Sequence, residues 1–178
     1  MKKIVYYVAV SIDGFIAGAN DDVSGFFHEG EGVEKYKRDL ENFDTVIMGR
    51  RTYEFGYQYG LKPGQPAYPH MKHYIFSDSL TFADTAESVH VVKMNVGFVE
   101  GLKKEEGSDI YLCGGGQFSG WLLDHKLIDV VKIKLNPLIL GTGVKLFRES
   151  RNMYKLNLTD LETFNEGMKI LSYDVIYQ

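Results

Sequence analysis

The feature that most limits the fold of this chain is the order of its apolar runs. Through most of the chain these runs, rich in β-branched and aromatic residues, alternate with segments whose apolar residues recur at helical spacing. The last two runs, YKLNLTDLETF and MKILSYDVIYQ, are separated only by a short turn that contains Asn and Gly. This order predicts an α/β sandwich around a mainly parallel sheet with an antiparallel edge. The earlier predicted strands are KIVYYVAV, TVIMG, HYIFS, VHVVK, DIYLCG and DVVKIKLNPLIL.

The length and composition of the chain fit one folded domain. It has 178 residues, of which 44% are hydrophobic and 25% charged, and no low-complexity tract or evident linker divides it. We therefore expect a single domain over residues 1–178.

Charge and cysteine content narrow the class of protein further. A net charge of -4 without a basic cluster gives no broad electrostatic reason to bind nucleic acid or an anionic membrane. The single cysteine, Cys113, excludes an intrachain disulfide and fits a reducing compartment.

Ser11 and Asp13 interrupt the first apolar run, so this run is interpreted as a core strand rather than a signal peptide. No stretch is apolar enough to span a membrane, and we expect a cytoplasmic protein.

A run of three glycines follows one of the predicted strands. The strand IYLC leads into Gly114, Gly115 and Gly116, and a predicted helix begins there. Glycine permits positive φ and close backbone approach, and a helix N-terminus attracts anions, so the run suits a phosphate or pyrophosphate. A tight strand-to-helix turn without a ligand explains the same residues. The dinucleotide fingerprint G-x-G-x-x-G fails by one residue, because Ser119 stands where its last glycine is required.

A second candidate phosphate site follows the strand TVIM. Gly49 ends this strand, and Arg50, Arg51 and Thr52 open the next segment. Arginine binds phosphate oxygens in a fork, and Thr52 can cap a helix. Ligands of open α/β sheets bind at the carboxyl ends of the strands. Two glycine-bearing strand ends, each opening a helix, therefore indicate a ligand with two phosphate groups, which is a dinucleotide.

Four stretches in this order resemble the dihydrofolate reductase superfamily. They are VAVSIDGFIAG, TVIMGRRTYE, YIFS and IYLCGGGQF, and the S-x-D-G pattern of Ser11–Gly14 resembles the branch that includes the reductase domain of the riboflavin-biosynthesis deaminase–reductase. The resemblance covers essentially the whole chain. It implies a three-layer sandwich with eight strands and helices on both faces, NADPH as cofactor, a small-molecule substrate and a homodimer.

The resemblance also implies a set of cofactor-binding residues. Asp78 departs from the pattern, because its carboxylate would repel the 2′-phosphate of NADPH, so NADH stays open as an alternative. The implied residues are Gly49, Arg50, Arg51 and Thr52 on the adenosine side and its phosphates, Ser77 beside the adenosine ribose, Gly114, Gly115, Gly116, Gln117 and Phe118 around the pyrophosphate and nicotinamide, and Ala9, Ile16 and Ala17 near the nicotinamide.

The substrate side is less well defined. Asp13, at the end of the first strand, is the candidate catalytic acid and substrate ligand, although a turn explains Asp13-Gly14 equally well. With an ordinary pKa of about 3.9, only about one Asp13 carboxyl in a thousand is protonated at pH 7, which favours substrate binding or proton delivery through water. Phe15 and Tyr53 are candidates to line a pocket for a flat heterocycle. Dihydrofolate reductases have a carboxylate on the first helix, and Val33 aligns with that position. Glu34, one residue later, is therefore the candidate to take the place of this carboxylate.

The resemblance implies a reductase that transfers a hydride from NADPH to a small planar heterocycle, carbonyl or imine. The substrate would be pterin-like or aminopyrimidine-like, as in the ribosylaminouracil-phosphate reductase step, although the chain has no deaminase domain. Genuine dihydrofolate reductase is the alternative within this class, and a non-catalytic nucleotide-binding sensor is the alternative from another class. Five scattered histidines and one cysteine make no convincing metal site.

Overall fold

The computed structural model describes residues 1–148 and 150–177 and contains ten strands and four α-helices within these ranges. The strands are β1 (Ile4–Ser11), β2 (Phe15–Ala17), β3 (Thr45–Gly49), β4 (Lys72–Phe76), β5 (Val89–Val92), β6 (Ile110–Gly114), β7 (Val130–Asn136), β8 (Val144–Lys145), β9 (Lys155–Thr163) and β10 (Lys169–Ile176). The helices are α1 (Glu31–Leu40), α2 (Arg50–Phe55), α3 (Val96–Lys104) and α4 (Gly116–Asp124).

Eight strands form one sheet in the order β5-β4-β3-β6-β1-β7-β10-β9. All neighbours from β5 to β7 are parallel, whereas β10 runs antiparallel to β7 and to β9. The short connection Phe164–Met168 closes on itself through the bond from the Phe164 N–H to the Met168 carbonyl, 2.9 Å long. A connection this short joins only antiparallel neighbours. The predicted sheet, mainly parallel with an antiparallel C-terminal edge, is therefore confirmed.

The alternation of side chains along β1 produces a core on each side of the sheet. Ile4 and Tyr6 belong to the cluster that contains Leu122 of α4, while Val5 and Tyr7 belong to the cluster on the opposite face. The first cluster also takes buried residues from α3, and the second takes residues from α1 and α2. Helices thus cover both faces, and the predicted three-layer sandwich is confirmed.

A small two-stranded ribbon lies outside the main sheet and was not predicted. β2 and β8 pair antiparallel, with Phe15 opposite Lys145 and Ala17 opposite Val144. The Leu146 N–H donates to the Gly14 carbonyl (3.0 Å), which continues the ribbon by one bond. The ribbon brings the segment after β7 back to the end of β1, where the predicted ligand site lies.

The helices within the described ranges are short. None of them combines the length and the apolar character that a bilayer span requires.

Candidate active site

A cleft of about 1220 Å³ lies at the edge of the sheet where β3, β4 and β6 end. Pockets for small ligands usually measure ~300–1,000 Å³, so this cleft is large enough for a dinucleotide and a second molecule. Twelve of the predicted site residues line it. They are Ile16, Ala17, Gly49, Arg50, Arg51, Thr52, Tyr53, Ser77, Gly115, Gly116, Gln117 and Phe118.

The glycine run lies where other parts of the chain pass close to its backbone. Gly114 has φ of 133°, a conformation that favours glycine, and the Gly114–Gly115 peptide bond is cis. A Cβ on Gly115 would lie 2.9 Å from Thr52 Oγ1, and one on Gly116 would lie 2.2 Å from the Lys145 carbonyl oxygen. The chain's own packing therefore already requires glycine here, in addition to any ligand.

The glycine turn is also fixed to the segment that follows β8. The Arg148 N–H donates to the Gly116 carbonyl (3.0 Å), and the Ser119 hydroxyl donates to the Leu146 carbonyl (2.7 Å). Helix α4 begins at Gly116, so its N-terminal N–H groups lie at the cleft. A helix N-terminus carries a partial positive charge, which makes this wall of the cleft suitable for an anion.

Two arginines stand at the start of α2 on another wall of the cleft. The Arg50 Nε donates to Glu54 Oε1 (2.8 Å) and its Nη1 to the Ser79 hydroxyl (3.3 Å). The Arg51 Nη2 donates to Oδ2 of Asp21 (2.9 Å), a residue of the loop after β2. Both guanidinium groups are about half exposed or more, and exposed ion pairs are weak. A phosphate can therefore compete with these carboxylates for the arginines.

The loop after β4 forms the outer end of the cleft. Ser77 and Asp78 both line it, and the Ser77 hydroxyl accepts the Leu80 N–H (3.0 Å), which fixes the turn. The contact from Arg50 to Ser79 places a guanidinium beside this loop, near the exposed Asp78. A cation and a carboxylate therefore lie at the same end of the cleft.

Asp13 lies outside the residues that line the cleft. Its Oδ1 accepts the Ser11 hydroxyl (2.6 Å) and the Leu140 N–H (3.1 Å), and its Oδ2 accepts the Gly141 N–H (2.7 Å). The Ser11 hydroxyl and then these backbone donors lower the pKa of Asp13. The side chain joins the β1–β2 turn to the loop before β8. This environment corresponds to the turn interpretation and does not favour an acid.

Four other predicted residues are also absent from the cleft lining. Glu34 lies on the exposed side of α1, where it accepts the Lys37 ammonium (2.8 Å), while its neighbour Val33 is buried. Phe15 and Ala9 are partly buried and Gly114 is buried, and none of the three lines the cleft. Most of the predicted cofactor-binding residues therefore line the cleft, whereas three of the four predicted substrate-binding residues, Asp13, Phe15 and Glu34, do not.

The inner end of the cleft contains residues that were not predicted as site residues. Met48, Tyr68 and Cys113 line it beside Tyr53, and the Tyr68 hydroxyl lies 3.6 Å from Cys113 Sγ. Burial raises the pKa of both groups, so both are neutral near pH 7. Only the ring of Tyr53 is available to contact a ligand, because its hydroxyl already donates to the Gln65 carbonyl (2.7 Å).

The carboxylates that line the described part of the cleft all lie away from this inner end. Asp21 pairs with Arg51, Asp78 follows β4, and Asp124 ends α4. The inner end is therefore a neutral, largely aromatic surface with one hydroxyl and one thiol. Such a surface can hold a flat neutral ring.

Comparison with known proteins agrees with this architecture. The family model described as RibD C-terminal domain matches residues 2–170. The uncharacterized protein YwjB of Bacillus subtilis is 35% identical over 177 residues, which are 95% of this chain and 96% of YwjB.

Two solved structures share the fold at low sequence identity. One is the diaminohydroxyphosphoribosylaminopyrimidine deaminase/5-amino-6-(5-phosphoribosylamino)uracil reductase of Thermotoga maritima, with a TM-score of 0.72 and 15% identity over 98% of this chain and 57% of that chain. The other is dihydrofolate reductase from Enterococcus faecalis complexed with NADP(H), with a TM-score of 0.68 and 16% identity over 98% of this chain and 97% of that chain.

Proposed function

The chain belongs to the RibD C-terminal domain family, and from that premise we propose that it is an NADPH-dependent reductase of a small planar heterocycle of the aminopyrimidine or pterin kind. The predicted membership of the dihydrofolate reductase superfamily, in the branch of the riboflavin-pathway reductase domain, is confirmed. The family match and the shared fold support reductase activity.

The observation that carries this proposal is the meeting of two glycine-bearing strand ends in one cleft. Gly49 precedes α2, and Gly116 is the first residue of α4. Both glycines line the same space between these two helices. Arg50 and Arg51 add two cations to that space. Anion-binding backbone on one wall and guanidinium groups on the other fit the two phosphates of a dinucleotide.

The residues present thus fit a nicotinamide dinucleotide. The Arg50 and Arg51 guanidinium groups and the N-terminus of α4 would hold its phosphates, Ser77 would lie by the adenosine ribose, and Ile16 would lie near the nicotinamide. When bound, the nucleotide supplies a hydride. The protein's part is to hold the acceptor ring beside it and to keep water from that contact.

NADPH is proposed over NADH because a guanidinium reaches the adenosine end of the cleft. Arg50 donates to Ser79 and so lies where a 2′-phosphate would need a counter-ion. Asp78 opposes this preference, because its exposed carboxylate stands in the same loop.

The substrate is proposed to bind at the neutral inner end of the cleft. Met48 and the Tyr53 ring offer flat apolar contacts, and the Tyr68 hydroxyl and Cys113 thiol offer hydrogen bonds. Because Asp13 is held in a turn outside the cleft, water is the proposed source of a proton where the reaction needs one.

The test is an assay of NADPH oxidation with aminopyrimidines, pterins and dihydrofolate as acceptors. We expect turnover with an aminopyrimidine or pterin, and a tenfold or larger loss of kcat/KM in Tyr68→Phe, on the order of one hydrogen bond. Tyr57→Phe is the matched control, since Tyr57 packs on Tyr53 outside the cleft lining. Equal activity in both variants would refute the role of Tyr68.

A non-catalytic nucleotide-binding protein is the second candidate function. The observation that favours it is the lack of an ionised acid or base at the inner end of the described cleft. The same assay decides between the two, because a sensor would bind NADPH tightly and oxidise it with none of the acceptors. Genuine dihydrofolate reductase would be identified by dihydrofolate as the best acceptor.

A further inference from the structure

A cluster of tyrosines lies behind the inner end of the cleft, where the proposed reduction needs a proton as well as a hydride. When a C=N or C=O group is reduced, the carbon takes the hydride and the nitrogen or oxygen takes a proton. A neutral acceptor takes a hydride readily only if this proton arrives with it. Within the described residues no carboxylate lines the inner end, and Asp13 is held outside the cleft.

We propose that the hydroxyl groups of Tyr68, Tyr111 and Tyr36 relay this proton from the α1 side of the sheet to the substrate. The inference rests on the proposed reductase function and names the route by which solvent supplies the proton. Tyr68 is the donor that touches the substrate, and Tyr111 and Tyr36 act through it.

The three hydroxyl groups follow one another from the cleft to α1. Tyr68 lines the cleft with its hydroxyl 3.6 Å from Cys113 Sγ, and its ring meets the Tyr111 ring edge-on with the centroids 5.7 Å apart. The hydroxyl of Tyr111, which is fully buried in β6, lies 2.7 Å from the hydroxyl of Tyr36 on α1, and either group can be the donor. A relay needs such a bond, because the direction of donation reverses when a proton passes.

Tyr111 also adjoins both protic groups at the inner end of the cleft. Burial raises the pKa of Tyr68 and of Cys113, and an interaction with the Tyr111 hydroxyl opposes this rise in each of them. Burial also raises the pKa of Tyr111 itself. The three groups are therefore neutral near pH 7, and each still carries the proton that it has to pass on.

Tyrosine is a weak acid, but the atom that it protonates here is a stronger base. As the hydride reaches the carbon, the nitrogen or oxygen gains an electron pair that is more basic than a phenolate, so transfer from Tyr68 is downhill. Tyr68 then takes the proton of Tyr111, and Tyr111 takes the proton of Tyr36. One negative charge remains on Tyr36, and a proton from solvent neutralises it at the partly exposed α1 side.

Lys134 of β7 stabilises that transient charge. Its ammonium group lies 4.9 Å from the centroid of the Tyr36 ring, its side chain is buried, and no ion pair of the described residues includes it. Desolvation disfavours an isolated buried cation and lowers the pKa of Lys134. A negative charge on Tyr36 would supply the counter-charge that this lysine lacks.

Single-turnover oxidation of NADPH tests the relay, because product release does not contribute to that rate. The acceptor is the aminopyrimidine or pterin that the native chain reduces, and the rate is measured in mixtures of H2O and D2O. For the native chain we expect a curved dependence on the deuterium fraction, since several protons move together. A linear dependence, or no solvent isotope effect, would overturn the proposal.

Tyr36→Phe is the decisive variant, because it removes a hydroxyl that does not line the cleft. We expect the single-turnover rate to fall about tenfold and the curvature to decrease, while NADPH affinity and the KM of the acceptor stay unchanged. Tyr7→Phe is the matched control. The Tyr7 ring packs against the Tyr36 ring, but its hydroxyl donates to Asp39 outside the relay, so this variant should keep the native rate and curvature.

Tyr111→Phe breaks the relay one step nearer the cleft and should give the same loss, so the test remains decisive if Tyr36→Phe does not fold. An equal loss in Tyr7→Phe would assign the effect to packing under α1, and a native rate and curvature in Tyr36→Phe would mean that solvent reaches the substrate directly. Either result would overturn the relay and leave the reductase proposal in place. A native chain that binds NADPH but oxidises it with no acceptor would refute both.

Discussion

Asp13 is connected to the cleft through hydrogen bonds to backbone. Its carboxylate accepts the N–H groups of Leu140 and Gly141, and the chain that follows them forms β8, whose Lys145 carbonyl lies over Gly116. The side chain is thus one link in a series of contacts from the β1–β2 turn to the N-terminus of α4.

The first prediction concerns Asp13→Asn. The asparagine amide has one acceptor oxygen where the carboxylate has two, and its NH2 group cannot accept a hydrogen bond. The loop before β8 should therefore loosen, amide exchange in residues 138–146 should accelerate, and NADPH should bind several-fold more weakly. Asp22→Asn is the control, because Asp22 accepts the Ser24 N–H in a comparably exposed turn. Unchanged exchange and affinity together with a shifted pH profile of turnover would instead make Asp13 the catalytic acid.

The second prediction compares two helical glycines. Gly116→Ala would put a Cβ 2.2 Å from the Lys145 carbonyl oxygen, and the segment there cannot retreat without losing the bond from the Arg148 N–H. We expect a loss of about 1–3 kcal/mol in the free energy of unfolding and a large loss of NADPH affinity. Gly101→Ala in α3 meets no atom within 4 Å and should stabilise the protein by up to about 1 kcal/mol. Chemical denaturation measures both, and equal effects would contradict the packing described.

The third prediction concerns nucleotide preference. Asp78→Asn removes an exposed negative charge from the loop that also receives Arg50. NADPH affinity should rise several-fold relative to NADH, on the order of one surface charge interaction. Asp84→Asn, in the same connection but outside the cleft lining, is the control. An unchanged ratio of the two dissociation constants would place the 2′-phosphate away from Asp78.

At the scale of elements, strand β4 fixes the loop that carries Tyr68. His73 is fully buried in β4, its Nδ1 donates to the Met71 carbonyl (3.0 Å), and its Nε2 accepts the Tyr68 N–H (3.1 Å). This arrangement requires a neutral imidazole. Desolvation lowers the pKa of His73 from 6.5 to about 4.

The fourth prediction follows from this pKa. Because the folded pKa of His73 lies below the unfolded value, the unfolded chain binds a proton first as pH falls, and stability decreases between pH 6.5 and about 4. The loss should amount to as much as about 3 kcal/mol. His73→Gln should flatten the pH dependence of the free energy of unfolding over this range, while His90→Gln should not. An identical slope in the native chain and His73→Gln would contradict the assignment.

The eight strands of the sheet were predictable because each is either a continuous apolar run or a run in which apolar and polar residues alternate, as in β9. DVVKIKLNPLIL, for example, was interpreted as a strand, and β7 ends at Asn136 because Pro137 cannot donate to the ladder. The ribbon of β2 and β8 was not predictable. β8 has two residues, Val144 and Lys145, and its pairing depends on a contact between positions more than a hundred residues apart.

At the scale of the whole molecule, the glycine-bearing strand ends and the inner end of the cleft differ in how far sequence could predict them. Gly49 and Gly116 follow strands directly, so their position at the sheet edge comes from topology alone. Tyr68 belongs to an irregular loop, and its contact with Cys113 depends on the folding of the chain between them. Glu34 was chosen by alignment, but its position on α1 points the charge toward Lys37.

Calorimetric titration of NADPH tests the proposed dinucleotide site most directly, in the native chain and in Arg50→Ala, with Arg38→Ala, an exposed arginine on α1, as the control. We expect one site per chain with a dissociation constant well below millimolar, weakened tenfold or more by Arg50→Ala and unaffected by Arg38→Ala. If neither NADPH nor NADH bound at millimolar concentration, the cleft would not be a dinucleotide site and the reductase proposal would fail.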